Sequence, residues 1–265
     1  MINHSFAVMA YQDSPYLSEC LNSLKAQTVE SNIYITTSTP SSYIDDTAKK
    51  YGVPVFVTES GKGIAHDWNF SLQSAKTKYV TLAHQDDLYM PEYAASCFNA
   101  AEKFTDTLIS FTGYDELVGD RERSDTLLLR VKRFMLSFFM PFRNNIRGKF
   151  WKRKLLSLGC PIPAPSVLYN YELLKGFQFS SEFSINMDWD AWYQMAKMEG
   201  RFVCVKKKLL RHRIHAQSAT TIGLKANKRQ MEDLKMFQRF WPKILAKLLA
   251  TIYSRGYKYN DNAAI

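Results

Sequence analysis

The sequence predicts an α/β fold, a mostly parallel sheet flanked by helices, on three observations. Short apolar runs rich in β-formers alternate with amphipathic helical stretches through residue 103, and the connections between successive runs are too long for hairpins. One run, Tyr79 to Leu82, leads to two adjacent carboxylates, Asp86 and Asp87, before Pro91 and a helical stretch from Tyr93 to Phe104. In open sheets of this kind ligands bind at the carboxyl ends of strands, so the acid pair falls where a ligand is expected.

The elements follow in order. Phe6-Ala7-Val8-Met9-Ala10 reads as the first strand, and Tyr11-Gln12-Asp13-Ser14-Pro15 as a turn in which Ser14 caps a helix carrying Leu17, Cys20, Leu21 and Leu24 on one face. Ile33 to Thr37 is the second strand, followed by the polar loop from Ser38 to Ser42 and a helix from Tyr43 to Tyr51 that Gly52 ends. Val53 to Val57 is the third strand. Gly61-Lys62-Gly63 then opens a loop suited to phosphate, although a plain turn is the commoner outcome of such a short signal, and Ile64 to Ala75 forms the next helix.

Beyond Leu108-Ile109-Ser110-Phe111, a further strand, the organisation changes. Residues 127–142 mix cations with aromatics and methionines, a pattern that suits either a helix lying in a lipid headgroup layer or one packed on the domain with snorkelling Lys and Arg. The prolines of Cys160-Pro161-Ile162-Pro163-Ala164-Pro165 hold an extended wall that leads into a strand at Val167 to Tyr169. Phe183 to Ala196 reads as a loop entering a helix, with Asp188 and Asp190 in or just before its first turn. That is a usual place for acidic caps. Here the acids stand beside Trp189 and Trp192, and partial desolvation by such neighbours makes a carboxylate a better proton acceptor. Phe202 to Val205 is a late strand, the following stretch to Ser218 a loop rich in Arg and His, and residues 226–254 a basic amphipathic helix interrupted at Pro242 and followed by a frayed tail after Tyr259.

Bulk properties narrow the classes. A chain of 265 residues that is 46% apolar can bury a sizeable core, which excludes global disorder. Four scattered cysteines suggest neither a disulfide framework nor a zinc knuckle, and a reducing compartment fits them. No secretory signal is expected in the first eleven residues, and no apolar run reaches the roughly 18 residues that a membrane span needs. Charge is segregated. Residues 121–154 hold 11 Lys and Arg against 2 Asp and Glu, and residues 201–265 hold 15 against 3, within a net charge of +10. The remainder is acidic and contains the Asp pair, so the two basic segments are set to face a polyanion or an anionic membrane.

Two neighbouring carboxylates repel unless a cation relieves them, and a hard divalent ion does so through oxygen ligands; a solvated turn capping the next helix is the competing reading. The order and spacing of the motifs decide between them. Phe6 to Tyr11, Cys20 to Thr28, Gly63-Ile64-Ala65 with Asn69, Gln85-Asp86-Asp87-Leu88-Tyr89-Met90-Pro91, Met187 to Trp192 and Arg213-Ile214-His215-Ala216-Gln217-Ser218 together resemble family 2 glycosyltransferases of the GT-A fold.

The resemblance covers roughly residues 5–220 and implies a Rossmann-like sheet, with a nucleotide-sugar half in 1–115, an acceptor half in 116–220 that carries a basic insertion at 121–154, and a C-terminal helical extension in 221–265. It implies Asp188 as catalytic base and Mg²⁺ or Mn²⁺ held by Asp87 and His215. It places the nucleotide-sugar on Ala10, Tyr11, Asp13, Ser38, Lys62, Asn69, Asp86, Arg211 and Arg213, and the acceptor on Pro165, Trp189 and Asp190. Three departures stand out: His84 replaces the first aspartate of the metal motif, Thr37 and Ser38 replace the aspartate that commonly contacts the base, and Trp68 replaces an arginine.

The implied activity is inverting transfer of a sugar, with a UDP-sugar as the expected donor and a lipid-linked or polysaccharide glycan as acceptor. The expected location is cytoplasmic and peripheral on the inner face of the membrane, with no nucleic-acid partner. A nucleotidyltransferase is the first rival, but Tyr11 to Pro15 lacks the glycines its phosphate loop would need. A nonenzymatic basic module is the second, and it would have no use for the Asp pair.

Overall fold

The structure, a computed structural model, describes residues 3–141, 144–215, 217 and 228–255. Ala216, Ser218, the boundary at residue 220 and the tail beyond Tyr259 lie outside the described residues. The first half alternates as read from sequence: β1 (His4–Ala10), α1 (Leu17–Lys25), β2 (Asn32–Thr37), α2 (Ser42–Tyr51), β3 (Val55–Val57), α3 (Ile64–Gln73) and β4 (Tyr79–His84). Local chemistry sets several boundaries. The Ser41 hydroxyl accepts the Ile44 N–H at 3.3 Å to cap α2, and Gly52, with φ of 61°, ends that helix in the left-handed region. Strand β1 pairs in parallel with both β2 and β4, and β2 pairs in parallel with β3. The chain therefore reverses its direction of winding at β1, and a crevice opens beyond the carboxyl ends of β1, β2 and β4.

The second half comprises β5 (Leu88–Tyr89), α4 (Tyr93–Ala101), β6 (Thr107–Val118), β7 (Arg121–Arg123), α5 (Leu127–Phe139), β8 (Asn145–Ile146), α6 (Lys149–Leu156), β9 (Val167–Asn170), α7 (Met187–Ala196), β10 (Arg201–Ile214), α8 (Lys228–Gln238) and α9 (Lys243–Arg255). The sheet runs β3-β2-β1-β4-β9-β6-β10-β5, with β7 on β6 and β8 on β10. Strand β9 is antiparallel to β4 and to β6, and so joins the parallel first half to the parallel pair β6–β10.

One expectation changes here. The Arg- and His-rich stretch after Val205 is strand rather than loop, because β10 continues from Arg201 to Ile214 across register shifts between Val205 and Leu210. Gly113 of β6 makes room for this bulge: a Cβ there would lie 3.2 Å from the Lys207 carbonyl oxygen. The C-terminal helices pack onto the domain. Met236, Phe237 and Ala246 are fully buried in the same core as Ala7, Val80 and Trp192. That core covers one face of the sheet, and α1, α2 and α4 cover the other around Phe6, Val8 and Tyr93. Among the described residues no helix is long and apolar enough to cross a membrane.

Candidate active site

The crevice is a cleft of about 660 Å³. Its walls come from the ends of β1 (Ala10, Tyr11), β2 (Thr37, Ser38) and β4 (His84, Gln85, Asp86), the first turn of α3, the Pro163 to Pro165 segment, the entry to α7 (Ser184, Met187, Asp188) and the end of β10 (His212 to His215). Of the residues singled out from sequence, the structure brings Ala10, Tyr11, Ser38, Asp86, Pro165, Asp188, Arg213 and His215 to this one cavity.

The Asp pair sits in a tight turn in which the Asp87 N–H donates to the His84 carbonyl at 3.2 Å. The two acids point to different places. Asp87 is fully buried and accepts the Arg213 backbone N–H at 2.8 Å and His212 Nδ1 at 3.0 Å. Arg213 donates from Nε to the Asp86 carbonyl at 2.9 Å and pairs with Glu19 at 2.7 Å, with its guanidinium 4.2 Å from the Tyr16 ring centre. Asp86 is the acid that lines the cleft, and its Oδ2 meets His215 Nε2 at 2.8 Å. Burial opposes ionisation of Asp86, but the His215 bond and the neighbouring imidazoles outweigh it and hold the carboxyl below its usual range. Burial likewise opposes charge on His212, yet Asp87 and Asp86 outweigh it and push this imidazole up to about 9.

His84 completes the group. One ligand atom from each of His84, Asp86 and Asp87 can be chosen so that all lie within 4.8 Å of one another. Burial holds the His84 imidazole neutral, with its pKa below the usual value despite the nearby acids, and its Nε2 is buried with no hydrogen-bond partner among the described residues. A neutral imidazole with an orphaned nitrogen beside two carboxylates is a donor set that could hold a divalent ion. Two of the departures from the family pattern meet at this point, since the Trp68 and His84 rings pack edge to face with centres 5.3 Å apart.

Asp188, in the first turn of α7, lines the same cleft. Its Oδ1 accepts the Trp189 N–H at 2.6 Å, and its Oδ2 faces the Cys160 thiol at 3.7 Å. Burial raises its pKa above the usual aspartate value, while Arg229, the Trp189 N–H and Lys132 pull the other way. The net result is a carboxylate with enhanced basicity inside a cavity.

Seven other sequence assignments need correction or refinement. Trp189 is wholly buried, its indole N–H donating to the Leu156 carbonyl at 3.0 Å, and so offers an acceptor no surface. Asp190 is 1% exposed, paired with Arg239 and Gln194, and not among the residues that line the cleft. The Asn69 amide brackets the Phe179 backbone, accepting its N–H at 2.7 Å and donating to its carbonyl at 2.9 Å, and Asn69 is not among the residues that line the cleft. Lys62 pairs with Glu59 on the surface, Arg211 with Glu122 at 2.8 Å, and Asp13 accepts the Ser41 hydroxyl at 2.6 Å; none of the three lines the cleft. Asp87 stands behind Asp86 as described, a ligand candidate from within the turn rather than from the cleft wall.

Sequence reading gave no site role to Asp67, Tyr114, Lys132, Cys160 and Arg229, all on the cleft. None carries a local signal, because α3, β6, α5, the segment before β9 and α8 bring them together across long separations in the chain. It also missed Glu232. This buried carboxylate of α8 accepts the backbone N–H groups of Ser184 (3.1 Å), Ile185 (2.8 Å) and Asn186 (2.9 Å) and the Ser184 hydroxyl (3.0 Å). Asn186 also donates to Asp233 at 2.8 Å, so α8 clamps the loop that presents Asp188.

A cleft at the winding reversal of a half-parallel sheet, with an acid-rich turn after β4 and Asp188 on the same cavity, fits the GT-A class of glycosyltransferase folds. The sequence model described as Glycosyl transferase family 2 matches residues 5–163, and the chain belongs to that family. No curated protein matches it significantly. Among solved structures it is similar to S. aureus TarS 1-349 in complex with UDP-GlcNAc, with a TM-score of 0.62 and 13% identity, covering 97% of this chain and 72% of that one. It spans 43% of the longer S. aureus TarS chain. It is likewise similar to the mannosyltransferase PcManGT from Pyrobaculum calidifontis in complex with GDP-Man and Mn²⁺ (TM-score 0.62, 14% identity, 96% of this chain and 69% of that one). A third match is glucosyl-3-phosphoglycerate synthase from Mycobacterium tuberculosis in complex with phosphoglyceric acid (TM-score 0.57, 15% identity, 90% and 80%).

Proposed function

We propose that the protein transfers a sugar from a nucleoside-diphosphate sugar to a glycan hydroxyl with inversion at the anomeric carbon. The observation that carries this is the single cleft on which the ends of β1, β2 and β4, the His84–Asp86 turn and Asp188 converge. The nucleotide lies across the carboxyl ends of β1 and β2, with UDP as the base-bearing half, and Asp188 on the opposite wall faces the acceptor. Asp188 takes the proton from the acceptor hydroxyl as that oxygen attacks the anomeric carbon, and the nucleoside diphosphate departs from the other face. Raised basicity suits this role, and the neighbouring Lys132 and Arg229 favour the anionic form that must accept the proton.

Asp86, His84 and one oxygen of Asp87 would hold a divalent ion, with His215 beside them, and such an ion neutralises charge on a leaving diphosphate when bound. Two carboxylates with an imidazole favour Mn²⁺ over Mg²⁺. The three helices α5, α6 and α9 contain ten Lys and Arg and no Asp or Glu, and they expose Phe134, Phe138, Phe150, Trp151, Ile244 and Ile252. Leu128 and Lys132 of the same α5 line the cleft. This supports a peripheral position on an anionic cytoplasmic leaflet, where a lipid-linked or growing glycan is presented.

The test is Asp188→Asn. Transfer from UDP-sugars should fall by about 10²- to 10⁴-fold, the usual contribution of a general base, while stabilisation of the fold by UDP with Mn²⁺ stays as in the unaltered chain. Retained turnover rejects the base, and loss of both readouts rejects the separation of donor and acceptor roles.

A further inference from the structure

Helix α5 carries three cations, Arg130, Lys132 and Arg133, and two of them are matched by acids. Arg130 pairs with Asp125, and Arg133 with Asp115 at 2.9 Å. Lys132 forms no ion pair with a carboxylate among the described residues. It is half-buried, it lines the cleft, and its ammonium donates to the Tyr114 hydroxyl at 2.9 Å, its one hydrogen bond among the described residues. Lys152 shows how the same fold treats a lysine that serves packing alone. Away from the cleft, its ammonium is met by the carbonyls of Met195 (3.5 Å), Met198 (2.8 Å) and Gly200 (2.9 Å), one for each N–H. An ammonium has three donors, so Lys132 keeps two for whatever occupies the cleft. Burial opposes its charge, but Tyr114, Tyr253 and Cys160 around it outweigh this and hold the ammonium above its usual range.

A cation with spare donors on a cavity wall calls for an anion, and its neighbours narrow which one. Lys132 and Leu128, one helical turn apart, line the cleft together with Tyr114, Cys160 and Asp188. The Cys160 thiol is 3.7 Å from Asp188 Oδ2, and the positive charge of Lys132 pulls both groups toward their ionised forms. Glu116, a carboxylate that lines the cleft from the same strand as Tyr114, is already matched by Arg123 at 3.3 Å. Lys132 therefore supplies positive charge to the region of the carboxylate that receives the acceptor, where an anionic group would otherwise be repelled. We propose that Lys132 holds a phosphate group of the acceptor, next to the hydroxyl that Asp188 deprotonates. A lysine ammonium suits phosphate as a compact point charge with several donors. When the phosphate neutralises Lys132, that charge no longer favours the ionised form of Asp188, so the base strengthens as the acceptor arrives. The other phosphate source in the cleft is the donor's diphosphate, and the two sources predict different results.

The inference rests on the nucleotide-sugar reading, and separate probes for donor and acceptor tell the two apart. The full chain, with Mn²⁺ and saturating UDP, is titrated in thermal-shift assays with two matched pairs: glycerol against sn-glycerol 3-phosphate, and glucose against glucose 6-phosphate. At least one phosphorylated member is expected to bind about tenfold or more tightly than its neutral partner, the order of one charge-assisted hydrogen bond. Lys132→Met should cut that ratio below about threefold while UDP affinity, read by calorimetry, stays within about twofold. Lys132→Arg, which keeps the charge, should retain most of the preference. Equal binding within both pairs by the unaltered chain, or none, overturns the inference without any variant, as does a preference that Lys132→Met leaves intact. A fall of about tenfold in UDP affinity in Lys132→Met assigns the lysine to the donor's diphosphate and overturns it too. Failure of UDP to bind the unaltered chain overturns the nucleotide-sugar reading, and this inference with it.

Discussion

Replacing Glu232 with glutamine should destabilise the protein and slow turnover while leaving the donor site intact. In the folded chain Glu232 Oε1 accepts the Ser184 N–H and hydroxyl, and Oε2 accepts the Ile185 and Asn186 N–H groups. Glutamine keeps one carbonyl oxygen, so at best two of these bonds survive, and its NH₂ must face the N–H donors of the other pair. Hydrogen bonds to charged groups contribute about 1.5–3 kcal/mol each; allowing for relaxation of the loop, a loss of about 2–4 kcal/mol is expected in urea denaturation. Because the clamped segment runs directly into Asp188, kcat should fall while UDP affinity changes by less than about twofold.

The pH dependence gives a second handle on the same residue. Burial opposes the Glu232 charge, but the backbone N–H groups outweigh it and hold the carboxyl below the usual glutamate value. The unfolded chain then binds more protons as pH falls through about 4, so this share of stability is present above the unfolded value and is lost on acidification through the folded one. The glutamine variant should lack that slope. A stability change under about 0.5 kcal/mol, or UDP affinity falling in step with turnover, refutes the clamp.

Three further outcomes are expected. His84→Ala removes the orphaned imidazole from the metal group, so the Mn²⁺ concentration needed for UDP to stabilise the fold should rise by about tenfold or more, the scale on which changes around metal sites act; an unchanged Mn²⁺ titration excludes His84 as a ligand. The Asp188 carboxyl lies above its usual pKa, so the acid limb of kcat/KM should rise at a pH above the ordinary aspartate range, and the limb should vanish from the residual rate of Asp188→Asn. The full chain should sediment with vesicles containing anionic lipid and not with neutral ones at low salt, and Phe134→Ser with Phe138→Ser should weaken this by at least about tenfold, because both rings are more than 60% exposed in a region rich in cations. Indifference to lipid charge removes the membrane placement.

Much of the fold was legible because periodicity reports burial. β1 and β4 are continuous apolar runs because both faces of a central parallel strand are covered, and α1 shows its buried stripe at Leu17, Cys20, Leu21 and Leu24. The second half was less legible. Strand β10 carries Lys206, Lys207 and Lys208 in its middle, which reads as a break, yet the bulge against Gly113 lets the strand absorb them and continue. The site shows the same contrast. Asp86, Asp188 and His215 stood out because acids and histidines cluster at element ends, whereas Lys62 and Asn69 looked equally suitable until neighbours claimed them.

By itself the chain's order of residues determined the alternation of strands and helices, the position of an acid-bearing turn at the end of β4, and the segregation of positive charge, since each depends on spacing of a few residues. Tertiary structure alone decided which of two adjacent acids meets the cavity, that Trp189 and Asp190 are buried away from it, and that α8 reaches back to hold the loop of Asp188. These outcomes depend on which groups come within hydrogen-bonding distance from remote parts of the chain, and that distance is set by sheet register and packing rather than by local pattern.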